Sequence, residues 1–182
     1  MAKNISDYSD YNYQEDFWGS QRAYENLCEQ KTIQKLLKKI PKKSNILLDV
    51  GCGFGRLFNS YKNFGNYFFL LDYAENLLLE AKNNTNTNTL LIQGNFYQIP
   101  LLDSSVDLAI TIRTLHHITD IQAFFKEINR IVTDNGYFLF EVPNKRHLLN
   151  ILRFIFGKSK QNPFSEKPLQ INNVYFNYSL TY

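Results

Sequence analysis

The stretch Asn45-Ile46-Leu47-Leu48-Asp49-Val50 runs without a break into Gly51-Cys52-Gly53-Phe54-Gly55, and no other part of the chain limits its fold as strongly. A short continuous apolar run of this kind suits a strand buried on both faces of a parallel sheet. The glycines that follow ask for a tight turn, because a residue without a Cβ takes positive φ at no steric cost and lets a ligand approach the backbone. Between a strand and a helix, such a turn presents unpaired N–H groups to a small ligand at the carboxyl end of the sheet. A turn that merely needs glycine is the alternative reading.

The rest of the sequence agrees with an alternating frame. Leu27, Ile33, Leu36, Leu37 and Ile40 recur at helical spacing from about Arg22 to Lys39, and Pro41 stops the run. After the glycines, the pattern predicts a helix over Arg56–Phe64, a strand over Tyr67–Leu71 and a helix over Ala74–Lys82. Strands over Thr89–Gln93 and Val106–Ile112, a helix over Ile121–Val132 and a strand over Tyr137–Val142 follow. Strands alternating with helices imply right-handed crossovers, so the fold class is α/β, a doubly wound Rossmann-like parallel sheet. The last forty residues hold a predicted helix over His147–Phe156 and then lose regularity around Pro163 and Pro168.

Composition narrows the function classes. At 182 residues, with 44% hydrophobic and 15% aromatic residues, the chain suits one globular unit. A net charge of +3 is too small to imply a nucleic-acid partner. Cys28 and Cys52 make neither a disulfide framework nor a zinc spacing, and no metal site is expected. The opening MAKNISDYSDYNYQEDFW lacks the basic and apolar regions of a signal peptide, and no run approaches the length of a membrane span. A soluble, cytoplasmic protein is the expectation.

Asp72 follows Gly51 at the interval where an acidic residue accepts hydrogen bonds from a ribose, which favours an adenosine-type ligand. Asp72 could also cap the helix that follows. A dinucleotide loop would carry its third glycine at position 56, where this chain has Arg56. Asp49 beside the loop would repel a pyrophosphate and could pair with an ammonium group.

LLDVGCGFGR, then LLDY, GNFYQIPLLDSSVDL, AITIRTLHHITD and DNGYFLFEVPN, resembles the class I S-adenosylmethionine-dependent methyltransferases over roughly Asn45–Asn144. The resemblance implies that Asp49, Gly51, Gly53 and Gly55 line the methionine end of S-adenosylmethionine and that Asp72 holds the ribose hydroxyls. It places Tyr73 near the adenine, Asn95 facing the adenine amino group, and Phe96 in backbone or face contact. Arg113 falls where the family's chain passes the methionine moiety, either reaching back to a carboxylate such as Asp49 or touching substrate.

FWGSQRAYENLCEQ and EVPNKRHLLNILRFIFGK resemble a bacterial branch of the family whose substrate is unassigned. The family's sheet order is 3-2-1-4-5-7-6, and the last forty residues hardly supply two further strands. The expectation is therefore order 3-2-1-4-5, with the C-terminal 7-6 hairpin missing from a truncated chain and the fifth strand left as an open edge. The implied organisation is one methyltransferase domain over 1–182, with an N-terminal aromatic segment and helix over 1–40, a cofactor-binding core over 45–144, and a basic helix and tail over 145–182. Tyr8, Tyr11, Tyr13, Phe17 and Trp18 could form a lid over the cofactor, with ordinary packing of an N-terminal helix as the alternative reading.

Methyl transfer from a sulfonium needs alignment more than a catalytic side chain. His116 and His117 are the available proton acceptors, and Cys52 is more plausible as packing than as a nucleophile. The motifs of base-methylating enzymes, Asn/Asp-Pro-Pro-Tyr and Pro-Cys, are absent after the fourth strand. The expectation is transfer to a small-molecule acceptor, with a non-catalytic cofactor-binding scaffold or an NAD-dependent reductase as alternatives. The basic, apolar segment from Lys145 to Lys160 could lie against a lipid or an anionic acceptor, although a helix covering the sheet is the expected role.

Overall fold

The computed structural model describes residues 22–85, 88–142, 144, 146, 148–160 and 162–165, and the backbone of 169–171 and 174–176. The aromatic lid candidates lie outside the described residues. In chain order the elements are α1 (Ala23–Leu37), β1 (Ser44–Val50), α2 (Phe58–Tyr61), β2 (Gly65–Asp72), α3 (Glu75–Asn84), β3 (Thr89–Gln93) and β4 (Val106–Thr111). A 3₁₀ turn (Leu115–His117), α4 (Ile121–Ile131), β5 (Val132–Phe140), α5 (Leu148–Ile155), β6 (Leu169–Ile171) and β7 (Val174–Phe176) complete the chain.

Five strands form one parallel sheet in the order β3-β2-β1-β4-β5. Because side chains alternate across a strand, Leu47 packs into one core and Leu48 and Val50 into the other. The first core joins Ile33 and Leu37 of α1, Phe58 and Tyr61 of α2, and Leu78 and Ala81 of α3. Phe124, Ile128 and Ile131 of α4 build the second with Phe96 and Ile99. The strand order reverses between β1 and β4, so the carboxyl ends of these two parallel strands frame the crevice where open α/β sheets bind ligands.

The expected elements are present, with shifted bounds that have physical causes. Helix α2 is shorter than the spacing predicts because the chain leaves the glycine loop through tight i−3 bonds, Phe58 N–H to Gly55 and Ser60 N–H to Leu57. Strand β5 starts directly after α4, five residues before the expected Tyr137, and its register on β4 slips between Val106 and Leu108, so Asp134, Asn135 and Gly136 are absorbed there as a bulge. In α1 only part of the apolar stripe is used: Ile33 and Leu37 are buried while Leu27 and Leu36 are exposed.

Helix α5 corrects an expectation. None of its residues is buried, so it does not cover the sheet. Strands β6 and β7 form a separate antiparallel pair, with β7 beside the 3₁₀ turn, and do not extend the five-stranded sheet. No helix among the described residues is long and apolar enough to cross a membrane.

Two polar clamps fix the β3–β4 connection. The Tyr97 hydroxyl accepts the N–H groups of Thr119 and Asp120 at 3.1 and 3.2 Å, tying the loop after β3 to the start of α4. Arg130 of α4 donates to the carbonyls of Ile99 and Leu101 and pairs with Glu127 and Asp103.

Candidate functional site

The glycine loop leaves β1 with Gly51 N–H and Cys52 N–H both donated to Leu71 O of β2, at 2.7 and 3.1 Å. Gly51, Gly53 and Gly55 all have positive φ. A Cβ on Gly51 would stand 2.3 Å from Thr114 Oγ1, so this position combines left-handed backbone with no room for a side chain. Gly53 is the opposite case: nothing lies within 4 Å of its would-be Cβ, and the backbone there faces open space. The cleft beside it is lined by Asp49, Gly51, Gly53, Arg56, Ile112 and Arg113, among others.

Two carboxylates organise this cleft. Asp49 is buried and accepts a hydrogen bond from the Tyr61 hydroxyl at 2.6 Å. Burial pushes its pKa up to about 7; the Tyr61 bond opposes the rise, nearby Asp72 adds to it, and Arg56 opposes it. Asp72 uses both oxygens on backbone: Oδ2 accepts Gly53 N–H at 2.8 Å and Oδ1 accepts Ala74 N–H at 3.0 Å. Burial also raises the Asp72 pKa, and these backbone donors counter the rise. Asp72 is not the helix cap: the N-cap of α3 is Ala74, with no side-chain cap, and the Asp72 carboxylate ties the Ala74 N–H just before the helix to the glycine loop.

Cys52 is no activated nucleophile. Its thiol is buried, with its pKa raised well above the ordinary value by burial and by the Asp72 and Asp49 carboxylates. Helix α2 begins only at Phe58, so no helix N-terminus acts on the thiol.

Arg113 stands at φ 56°, a left-handed conformation uncommon outside glycine. It pairs with Glu29 and, at 3.3 Å, with Glu25, both on α1, and not with Asp49. The second oxygen of Glu29 binds Arg56 at 2.7 Å, and Arg56 also donates to Asn26 at 2.6 Å. Glu29 therefore joins the first helix to the glycine loop and to the chain leaving β4. Glu141, just beyond β5, has a pKa raised by burial and then by Glu29, with Arg113 countering.

Of the remaining positions expected to bind cofactor, Tyr73 is 45% exposed beside Asp72. Phe96 is buried, and the Asn95 side-chain oxygen accepts Tyr97 N–H at 2.9 Å, which leaves it one lone pair for another donor. Gly94 N–H donates to Asp72 O, which sets this loop against the end of β2. His116 is a poor base: burial, then His117, then Arg113 lower its pKa to about 3. Its ring lies 4.1 Å from that of His117, centroid to centroid.

Glu29, Arg56, Tyr61 and Thr114 hold the site together and were not singled out as site residues by the sequence. Arg56 stood out only as a departure from a dinucleotide loop, and the other three carry no local signal. A second cavity, of about 300 Å³, adjoins the cleft at Ile112 and lies between α1 and the ends of β4 and β5. Its walls are mainly apolar, from Ile33, Leu36, Leu139 and Phe140, with Glu29 and Glu141 as the charged members.

Comparison with known proteins agrees with this arrangement. The family model for the methyltransferase domain matches residues 48–140. An uncharacterised protein of Methanocaldococcus jannaschii is 32% identical over 186 residues, covering 96% of this chain and 80% of the relative. The malonyl-[acyl-carrier protein] O-methyltransferase of Buchnera aphidicola is 32% identical over 106 residues, covering 58% of this chain and 42% of that enzyme. Among solved structures, one from Methanococcus maripaludis, described as a candidate S-adenosyl-L-methionine-dependent methyltransferase, shares the fold with a TM-score of 0.62. It is 16% identical, and the match covers 97% of this chain and 94% of that one. With the parallel sheet in the order 3-2-1-4-5 and the strand-to-glycine turn within the matched span, the chain belongs to the class I S-adenosylmethionine-dependent methyltransferases.

Proposed function

We propose that this chain binds S-adenosylmethionine in the cleft at the carboxyl ends of β1 and β4 and transfers its methyl group to a small, largely apolar acceptor. The observation that carries the reading is Gly53, whose open side faces the cleft while its N–H is held by Asp72. That combination allows close approach of a ligand and keeps an acidic group at the end of β2. Gly51, Gly53 and Asp49 would hold the methionine end, Asp72 the ribose, and Tyr73, Asn95 and Phe96 the adenine.

When bound, S-adenosylmethionine supplies an electrophilic methyl group on a sulfonium, and in-line displacement asks mainly that the acceptor be aligned with it. The chain's part is to orient and to exclude water. Asp49, within the range where it can ionise at neutral pH, offers a carboxylate to an ammonium group. The 300 Å³ cavity beyond Ile112 supports an acceptor of small size and low polarity. His116, with its depressed basicity, is a poor general base for the transfer.

Thermal unfolding with S-adenosylhomocysteine, with NAD as control, tests the cofactor. At a ligand concentration about 100 times Kd, linkage gives roughly 2.7 kcal/mol of stabilisation, a rise of several degrees. A shift with NAD and none with S-adenosylhomocysteine overturns the reading. For the acceptor, Thr32→Trp places an indole at the cavity wall. It should retain the S-adenosylhomocysteine shift and lose methylation of apolar acceptors in a tritium-transfer screen. Unchanged turnover would put the acceptor elsewhere.

A further inference from the structure

The helix α5 is apolar on two sides, and among the described residues only one is partly covered. Asn150, Ile151 and Phe154 are half-buried. Leu148, Leu149, Leu152, Ile155 and Phe156 are exposed, at 68, 59, 37, 65 and 71%. At 3.6 residues per turn these five cover an arc of about 120°, directed away from the packed side. A helix needs one apolar face to join a core, so the second face is surplus to the fold.

The charge around this face has one sign. From Val142 to Ser165 the sequence has Lys145, Arg146, Arg153, Lys158 and Lys160 and not a single Asp or Glu. Arg153 is exposed at the margin of the apolar arc, and Lys158 and Lys160 follow it, both exposed. The rest of the chain is close to neutral, since the whole carries only +3. The cationic excess is therefore concentrated where the apolar side chains are.

We propose that α5 and the basic residues after it seat this protein on an anionic lipid surface, with the five exposed side chains in the acyl boundary and Arg153, Lys158 and Lys160 at the headgroups. Apolar area and cationic charge together favour such binding, and neither alone gives stable attachment. An acidic protein would satisfy the lysines, but it gives less reason for an unbroken apolar arc of leucine, isoleucine and phenylalanine. The helix is too short to span, so the protein would lie on the surface.

Co-sedimentation with vesicles tests this directly, using pure phosphatidylcholine and phosphatidylcholine with one third phosphatidylglycerol. The protein should pellet with the anionic vesicles, remain in the supernatant with the neutral ones, and be released by salt near 1 M. Leu149→Glu with Ile155→Glu should weaken vesicle binding by roughly tenfold or more. Both residues are exposed, so this variant should keep the melting temperature and the ligand-induced shift. No pelleting with anionic vesicles overturns the proposal, including the case where the same pair of substitutions instead abolishes self-association or capture of an acidic protein. Equal binding to neutral vesicles, or undiminished binding by the double variant, overturns it as well.

Discussion

The Tyr61 hydroxyl donates to Asp49 Oδ2 at 2.6 Å, so the buried carboxylate at the end of β1 has a neutral partner on the core side. Tyr61→Phe removes a side-chain hydrogen bond that holds down the Asp49 pKa. The variant should lose about 1–3 kcal/mol at pH 8, where the carboxylate is ionised, and less at pH 5. Urea melts at the two pH values check this; an equal loss at both would mean that the bond does not depend on the Asp49 charge.

Asp49 and His116 give opposite pH dependences. Asp49 titrates near 7 in the fold and near ~4 unfolded, so its contribution is fully present below pH ~4 and is lost as pH rises toward 7. His116, lowered to about 3, contributes stability above its unfolded value of ~6.5, which is lost as pH falls toward 3. Asp49→Asn should therefore gain on the parent protein between pH 4 and 7, and His116→Gln should gain on it as pH falls from 6.5. Denaturant midpoints across that range read both slopes; parallel curves for either variant would remove that group from the balance.

Gly51→Ala should destabilise by about 2–5 kcal/mol, combining left-handed strain with overpacking against Thr114. Thr114→Ala removes Oγ1 and Cγ2, two of the three atoms in the way, but does not relieve φ. The double variant should be more stable than additivity predicts. Simple additivity in thermal melts would assign the whole effect to the backbone.

Asp72→Ala should weaken S-adenosylhomocysteine binding by roughly 1.5–3 kcal/mol, read by calorimetry. Because Asp72 also holds Gly53 N–H and Ala74 N–H, the melting temperature should fall in the absence of ligand. Unchanged affinity would remove Asp72 from the ligand site and leave it as a clamp for the loop.

Glu29→Gln leaves Arg56 and Arg113 facing a neutral amide. The Arg56 and Glu29 side chains are only 10 and 15% exposed, so a loss of about 1–3 kcal/mol is expected. Arg56→Ala in the Glu29→Gln background should cost less than in the parent, and a double-mutant cycle with no coupling would show that the pair is incidental.

The sheet was legible because its strands are continuous apolar runs separated by glycine and polar turns, a pattern that survives any detail of packing. The loop was legible for the same local reason, since three glycines after Val50 admit few backbones. Arg113 was placed near the cleft, but its partner was open: Glu29 lies 84 residues away on a helix with no distinguishing pattern there. Helix α5 was expected from its spacing, and its orientation was not, because apolar residues on two sides of a helix do not say which side is packed. Asn95 was assigned by resemblance, and its bond to Tyr97 N–H depends on a turn that sequence patterning does not specify.

The single oxygen of Tyr97 that receives two successive N–H groups of the Thr119-Asp120 corner gives the crevice unequal rims. On that side the neutral Tyr97 bonds and a hydrophobic core hold the loop bearing Asn95 and Phe96, with the Arg130 pairs to Glu127 and Asp103 farther along the connection. On the opposite side, α1 packs Ile33 and Leu37 into the core and is fastened to the cleft through Glu29 and Glu25 by charge pairs. Ionic strength screens the more exposed Arg113–Glu25 pair most and leaves the neutral Tyr97 bonds almost untouched. Added salt should therefore loosen the crevice from the α1 side, and ligand exchange should quicken there while the far rim keeps its shape.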